Sequence, residues 1–126
     1  LNVVDDYGTK RGIIMSREIK FRIWDKINRM WLKSFNANLL NIGDLSNVEI
    51  NQYTGLKDSE DYEIYEKDIV WNEYDEEYQV VIFDEGEYKL MGESHIQNLY
   101  DALDYIDIRG NVYEDLEIIE AWYKEE

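Results

Sequence analysis

The sequence predicts a mainly β protein with minor α content, a small β-barrel or rolled antiparallel sheet with one or two short helices. Three observations predict it. Glu18 to Trp24 alternates apolar and polar residues strictly, the period of a half-buried strand. Residues 68–91 break into short, evenly spaced apolar runs divided by turn-forming residues, the rhythm of an antiparallel meander. No proline interrupts the chain.

The elements follow in order. Leu1 to Ser16 precede the first strong strand pattern and lack the long apolar run of a signal peptide. They read as an N-terminal extension, disordered or added by cloning, without functional weight. A single domain then spans 17–126. Ile19, Phe21 and Ile23 point to one side of the first strand and Trp24 to the other, so Trp24 is exposed unless a second layer covers it. Asp25 to Asn28 form a turn, and Met30 to Phe35 return as the hairpin partner. The Asn-rich stretch 36–47 is a loop. Val48 to Tyr53 alternate again, and Thr54-Gly55 break the strand, with glycine supplying a permissive backbone. Lys57 to Tyr62 form a polar loop.

The meander runs from about 64 to 92. Asp68–Asn72 is one strand, Tyr74–Glu77 its turn, Tyr78–Phe83 the next strand, Asp84-Glu85-Gly86 a tight turn, and Glu87–Met91 the closing strand. Residues 95–126 read as helical and extended. Ile96, Leu99, Tyr100 and Leu103 have helical spacing. Tyr105 to Ile108 are extended, and Arg109-Gly110-Asn111 is a turn. Asp115 caps a last helix whose shared face carries Leu116, Ile119 and Tyr123.

Composition excludes several functions. With 126 residues the chain buries about two-thirds of its unfolded surface and needs no staple. It has no cysteine, so it offers no disulfide, thiolate metal site or thiol nucleophile, and it suits a reducing cytoplasm. No apolar run approaches the ~20 residues of a membrane span. The net charge of −16 is unevenly divided: residues 1–57 carry +3 and residues 58–126 carry −19. So acidic a half repels phosphate backbones, which argues against nucleic acid as a direct partner. The acidic residues alternate with Tyr, Ile, Val and Trp, so they belong to a folded surface. That surface is either a solvated coat or a face that docks a basic partner, as a DNA mimic would.

Several segments together resemble the YopX family of bacteriophage and prophage proteins. They are Arg17–Asp25 (REIKFRIWD), QYTGLKD at 52–58, EIYEKDIV at 63–70, YQVV at 78–81 with Asp84-Glu85-Gly86, and IRGNVYED at 108–115. The resemblance runs from about Arg17 to Glu117. Lys67 departs from it, standing where the family usually has glycine. Either the turn there is not left-handed or it carries strain. The family implies an SH3-like small barrel and temperate phages of Gram-positive hosts. It brings no catalytic activity and no active site.

Few residues are arranged for chemistry. The one histidine, His95, lies beside Ser94, and sequence neighbours seldom form a nucleophile–base pair, so His95 reads as a surface residue. Asp75-Glu76-Glu77 and Asp84-Glu85 are acidic clusters of the kind that 29 acidic residues produce by chance. No EF-hand pattern and no phosphate-cradling glycine motif is present. No cofactor and no metal are expected. Lys20, Arg22, Lys26, Arg29 and Lys33 form a basic patch with Trp24 and Trp31, expected to pair with the acidic half within a subunit or across a dimer. Aromatic residues make up 14% of the chain, enough to fill a small core and still leave side chains for a binding face. The candidate partner-binding residues are Trp24, Trp31, Trp71, Tyr74, Asp75, Glu76 and Glu77.

The expected function is non-enzymatic. The chain would be a cytoplasmic phage accessory protein that binds a host or phage protein, as a monomer or homo-oligomer. A nucleotide-like small-molecule module, a DNA-mimic inhibitor and, last, a carboxylate-metal enzyme are the alternatives.

Overall fold

The computed structural model describes the backbone of residues 2–10, 13–33 and 45–124, and the side chains of residues 18–33 and 45–124. The chain is mostly β, built from curled antiparallel sheets, and it divides into two compact units, Leu1–Gly55 and Leu56–Glu126.

In the first unit β1 (Asn2–Lys10) pairs antiparallel with β2 (Ile13–Asp25). The extension read as disordered is therefore strand wherever it is described, with Asp5 opposite Arg17. Beyond it, β2 pairs with β3 (Met30–Trp31) and with β4 (Val48–Lys57). The Asp25 turn forms as expected. Its carboxylate accepts the amides of Ile27 and Asn28 at 2.9 and 3.1 Å and the Asn28 side chain at 2.8 Å. The bonds from Asn28 hold Asp25 below the usual carboxylate range. Ser34, Phe35 and most of the Asn-rich loop lie outside the described residues.

Two expectations fail here. Thr54-Gly55 do not end the strand. β4 continues to Lys57, with Gly55 at φ +83° inside it. Trp24 is not exposed but buried, at 3%. Both faces of β2 are covered at that point. Trp31 lies opposite Trp24 in the register and meets it edge-on at 5.0 Å. The Arg29 guanidinium lies 5.7 Å from the Trp24 ring. Phe21, on the side of β2 that carries buried Ile23, is 36% exposed.

The second unit begins with a turn held by Asp58 and returns as β5 (Glu63–Tyr65) along the end of β4. A tight turn at Glu66-Lys67 leads into β6 (Asp68–Asn72). Then follow β7 (Glu77–Asp84), β8 (Glu87–Met91), β9 (Ile96–Asn98), a 3-10 helix (Tyr100–Tyr105), β10 (Ile106–Asn111) and a last 3-10 helix (Leu116–Ile118). The five strands form one sheet in the order β10-β6-β7-β8-β9.

This sheet is apolar on both faces. Val70, Val81 and Leu90 join Ile64, Leu99, Ala102 and Ile106 in one buried cluster. Ile69 and Val80 join Val112, Ile119 and Tyr123 in another. Adjacent residues therefore face separate cores, as strand geometry requires. The β7–β8 hairpin turns on Glu85 and Gly86, with φ +53° and +81°, the paired left-handed conformation that matches sheet twist.

The helical pattern over 95–104 resolves otherwise. Met91 pairs with Ile96, so the first residues extend the sheet as β9. A 3-10 helix follows, whose period of three aligns Leu99 and Ala102, both fully buried, while Tyr100 is 70% exposed. Arg109-Gly110-Asn111 is not a turn but the end of β10, where the register with β6 shifts between Ile108 and Gly110. The last helix is one short 3-10 turn. Asp115 does not cap it through its side chain, and Leu116 is exposed while Ile119 and Tyr123 are buried.

Lys67 takes φ +70°. The left-handed turn is kept without its glycine, and its surroundings hold it. The Lys67 amide donates to the Val81 carbonyl at 2.8 Å, its carbonyl accepts from the Val112 amide at 3.0 Å, and its Nζ meets the Tyr123 hydroxyl at 3.3 Å. The strain of a side chain in this region is about 1 kcal/mol. Lys67→Gly should therefore be more stable than Lys67→Ala by about 1 kcal/mol in urea unfolding, since neither variant has the ammonium and only glycine relaxes. Equal midpoints would show that the turn is unstrained.

Candidate functional site

One end of the first apolar face turns polar. Alternation along β7 puts Glu77 and Gln79 on the same face as Val81, and pairing places Asn72 opposite Glu77 and Gln97 opposite Leu90. The four-residue connection Glu73–Glu76 carries Asp75 over this end, because the Asp75 amide donates to Asn72 Oδ1 at 2.9 Å. Between β8 and β9 a turn closed by the Gly92 amide and the His95 carbonyl, 2.9 Å apart, delivers His95.

The side chains converge on Asp75. Its Oδ2 accepts hydrogen bonds from Gln97 Nε2 at 2.7 Å, Gln79 Nε2 at 2.9 Å and Asn72 Nδ2 at 3.1 Å, and lies 3.1 Å from His95 Nε2. Gln79 also donates to Glu77 Oε1 at 2.9 Å, and His95 Nδ1 lies 3.7 Å from that oxygen. Asn72 and Gln79 are fully buried; Asp75 and Glu77 are partly open, and His95 is the exposed member. Burial pushes the Asp75 carboxyl upward, but the bonds from Gln79, Gln97 and His95 outweigh it and hold the group below the usual range. Asp75 is thus a fixed anion in a cradle of amides.

Gly92 completes the site by lacking a side chain. A Cβ there would fall 2.2 Å from Glu77 Oε1 and 3.0 Å from its Cδ. Asp75, Glu77 and His95 each offer one ligand atom, and these atoms all lie within 4.8 Å of one another.

The five candidates of the second unit do not form one surface. Asp75 and Glu77 turn into the cluster. Tyr74 points outward, 79% exposed, with its ring 5.7 Å from that of Tyr105, and Glu76 is exposed beside it. Trp71 is half-buried on the opposite face of the sheet, edge-on to Tyr78 at 4.9 Å. Trp24 and Trp31 pack together in the first unit. The basic patch is engaged locally: Lys20 meets Glu18 at 3.0 Å, Lys26 meets Glu49 at 3.2 Å, and the Arg22 guanidinium sits 4.4 Å from the Trp31 ring. Nothing in the sequence pattern marks Asn72, Gln79, Gly92, His95 and Gln97 as partners of the carboxylates. The readable signal was Glu77-x-Gln79 on one strand face; the approach of His95 depends on a turn whose geometry the sequence does not spell out.

Fold and site together define a small, mainly β acidic protein whose sheet is sealed on both faces and ends in an ordered polar cluster. The family model for YopX protein matches residues 36–120. The chain belongs to that family. The match leaves out Arg17–Asp25 and includes the Asn-rich stretch 36–47, which lies between the segments that carry the resemblance. Among solved structures the chain is similar to the crystal structure of protein EF1440 from Enterococcus faecalis, with a TM-score of 0.63 and 20% identity over 80% of this chain and 97% of that one. At that identity the likeness shows the fold alone. No curated protein matches the chain. Among the described residues no helix is long and apolar enough to cross a membrane.

Proposed function

We propose that the protein is a non-enzymatic phage or prophage accessory factor that binds a basic host or phage protein in the cytoplasm. The observation that carries this reading is Tyr74, which stands 79% exposed on a turn whose backbone Asn72 fixes. Exposed Glu73 and Glu76 flank it on the acidic unit. A rigid exposed tyrosine loses little side-chain entropy on binding and is a typical interface anchor. The surrounding negative charge would speed encounter with a cationic surface and weaken with salt.

The test is comparative capture from host lysate, read by mass spectrometry, with wild type and a Glu73→Lys, Tyr74→Ala, Glu76→Lys triple variant. The expected result is a basic protein retained by wild type at low salt and lost, by at least about tenfold, with the triple variant. Asp75→Asn or Glu77→Gln, which alter inward-facing carboxylates, should each leave capture intact. Identical retention by wild type and triple variant would refute the reading.

A further inference from the structure

We propose that Asp75, Glu77 and His95 form a binding site for a divalent transition-metal ion of the zinc class. Three segments bring these side chains together: the β6–β7 turn, the start of β7 and the β8–β9 turn. Two carboxylates and one imidazole make a three-ligand set of the kind that binds zinc with one position left for water. The imidazole selects zinc, cobalt or nickel over magnesium and calcium, which prefer oxygen ligands alone.

The three ligand atoms are near neighbours. Two ligand atoms on one tetrahedral zinc lie about 3.3 Å apart, given metal–ligand bonds near 2.0–2.1 Å. One ligand atom from each of Asp75, Glu77 and His95 already lies within 4.8 Å of the others. The oxygens are also available. The amides bond Asp75 Oδ2 and Glu77 Oε1, while no donor among the described residues bonds Asp75 Oδ1 or Glu77 Oε2. Buried Asn72 and Gln79, with Gln97, thus orient the carboxylates as an outer shell does in metal proteins. The missing Cβ at Gly92 keeps the place of the Glu77 carboxylate clear.

Cobalt titration of the full chain, followed by visible absorption, tests the site. One equivalent of Co²⁺ should give d–d bands of low-symmetry coordination, and zinc should abolish them while a large excess of Mg²⁺ should not. His95→Ala and Glu77→Gln should each weaken binding by at least about tenfold. Glu117→Gln, an exposed acid elsewhere, should leave it unchanged. In wild type, zinc should shift the His95 ring and the Gln79 and Gln97 side-chain amide resonances in NMR spectra, a readout that needs no variant. Binding that survives His95→Ala, competition by Mg²⁺ at equal concentration, or zinc-independent resonances would each reduce the cluster to an ion-paired imidazole and overturn the proposal.

Discussion

Asp58→Ala is expected to destabilise the protein by about 3–5 kcal/mol, measured as the loss of unfolding free energy in urea. Asp58 is only 7% exposed, and its carboxylate accepts three backbone amides. Oδ1 takes those of Glu60 and Tyr62, each at 2.9 Å, and Oδ2 takes that of Ile108 at 2.9 Å. The first two shape the turn into β5, and the third ties that turn to β10. Alanine would leave three backbone donors short of a partner. Hydrogen bonds to a charged acceptor contribute about 1.5–3 kcal/mol each, and partial rehydration keeps the total below their sum. Asp58→Asn should cost less, about 1–2 kcal/mol, because its carbonyl oxygen keeps one acceptor, although its NH2 cannot accept at the other site. A loss below about 1 kcal/mol for alanine would mean that the turn holds itself.

Gly110→Ala should cost about 2–4 kcal/mol. A Cβ at this position would lie 2.3 Å from Asp115 Oδ2, 2.6 Å from its Cγ and 2.9 Å from its Cβ. The outermost of these atoms could rotate away, but the Asp115 Cβ is fixed by its backbone. The Asp115 amide donates to the Asn111 carbonyl at 2.9 Å, and its own carbonyl accepts from Ile118 at 3.0 Å. Relieving the clash therefore breaks the bond from the Asn111 amide to Asp115 Oδ2, 3.1 Å long. It also shifts the turn that sends Ile119 and Tyr123 into the second core. A double-mutant cycle isolates the cause: most of the penalty should vanish in an Asp115→Gly background. Persistence of the full penalty there would place its origin in the β10 backbone instead.

These two residues show why part of the molecule was legible. TGLKD and IRGN carry the family resemblance, yet local pattern alone marks both as simple turns. Their roles depend on partners far along the chain: Asp58 on Ile108, and Gly110 on the space taken by Asp115. The meander was plain because its information is local. Asp68–Asn72 and Glu87–Met91 emerge with their expected bounds, since alternating apolar residues and a Glu-Gly turn act over a few positions. Residues 95–105 misled because spacing of three and four suits an α-helix, whereas the available edge of β8 takes Ile96–Asn98 into the sheet. Trp24 misled because alternation assigns a face but cannot say whether the face is covered. The polar cluster was hidden for a related reason. Asp75 and Glu77 were noticed only as charges, and their meeting with His95 required knowing how two turns lean.

The strand order carries a consequence for biosynthesis. β6 gains its neighbour β7 almost at once, but its other flank waits for β10, where Ile106 lies against Asn72 and Asn111 against Asp68. While the chain emerges from the ribosome, the intervening loops and strands must appear before that flank is covered. During this interval the nascent protein displays a hydrogen-bonding edge lined by Ile69 and Val70, the kind of ribbon that other chains can capture.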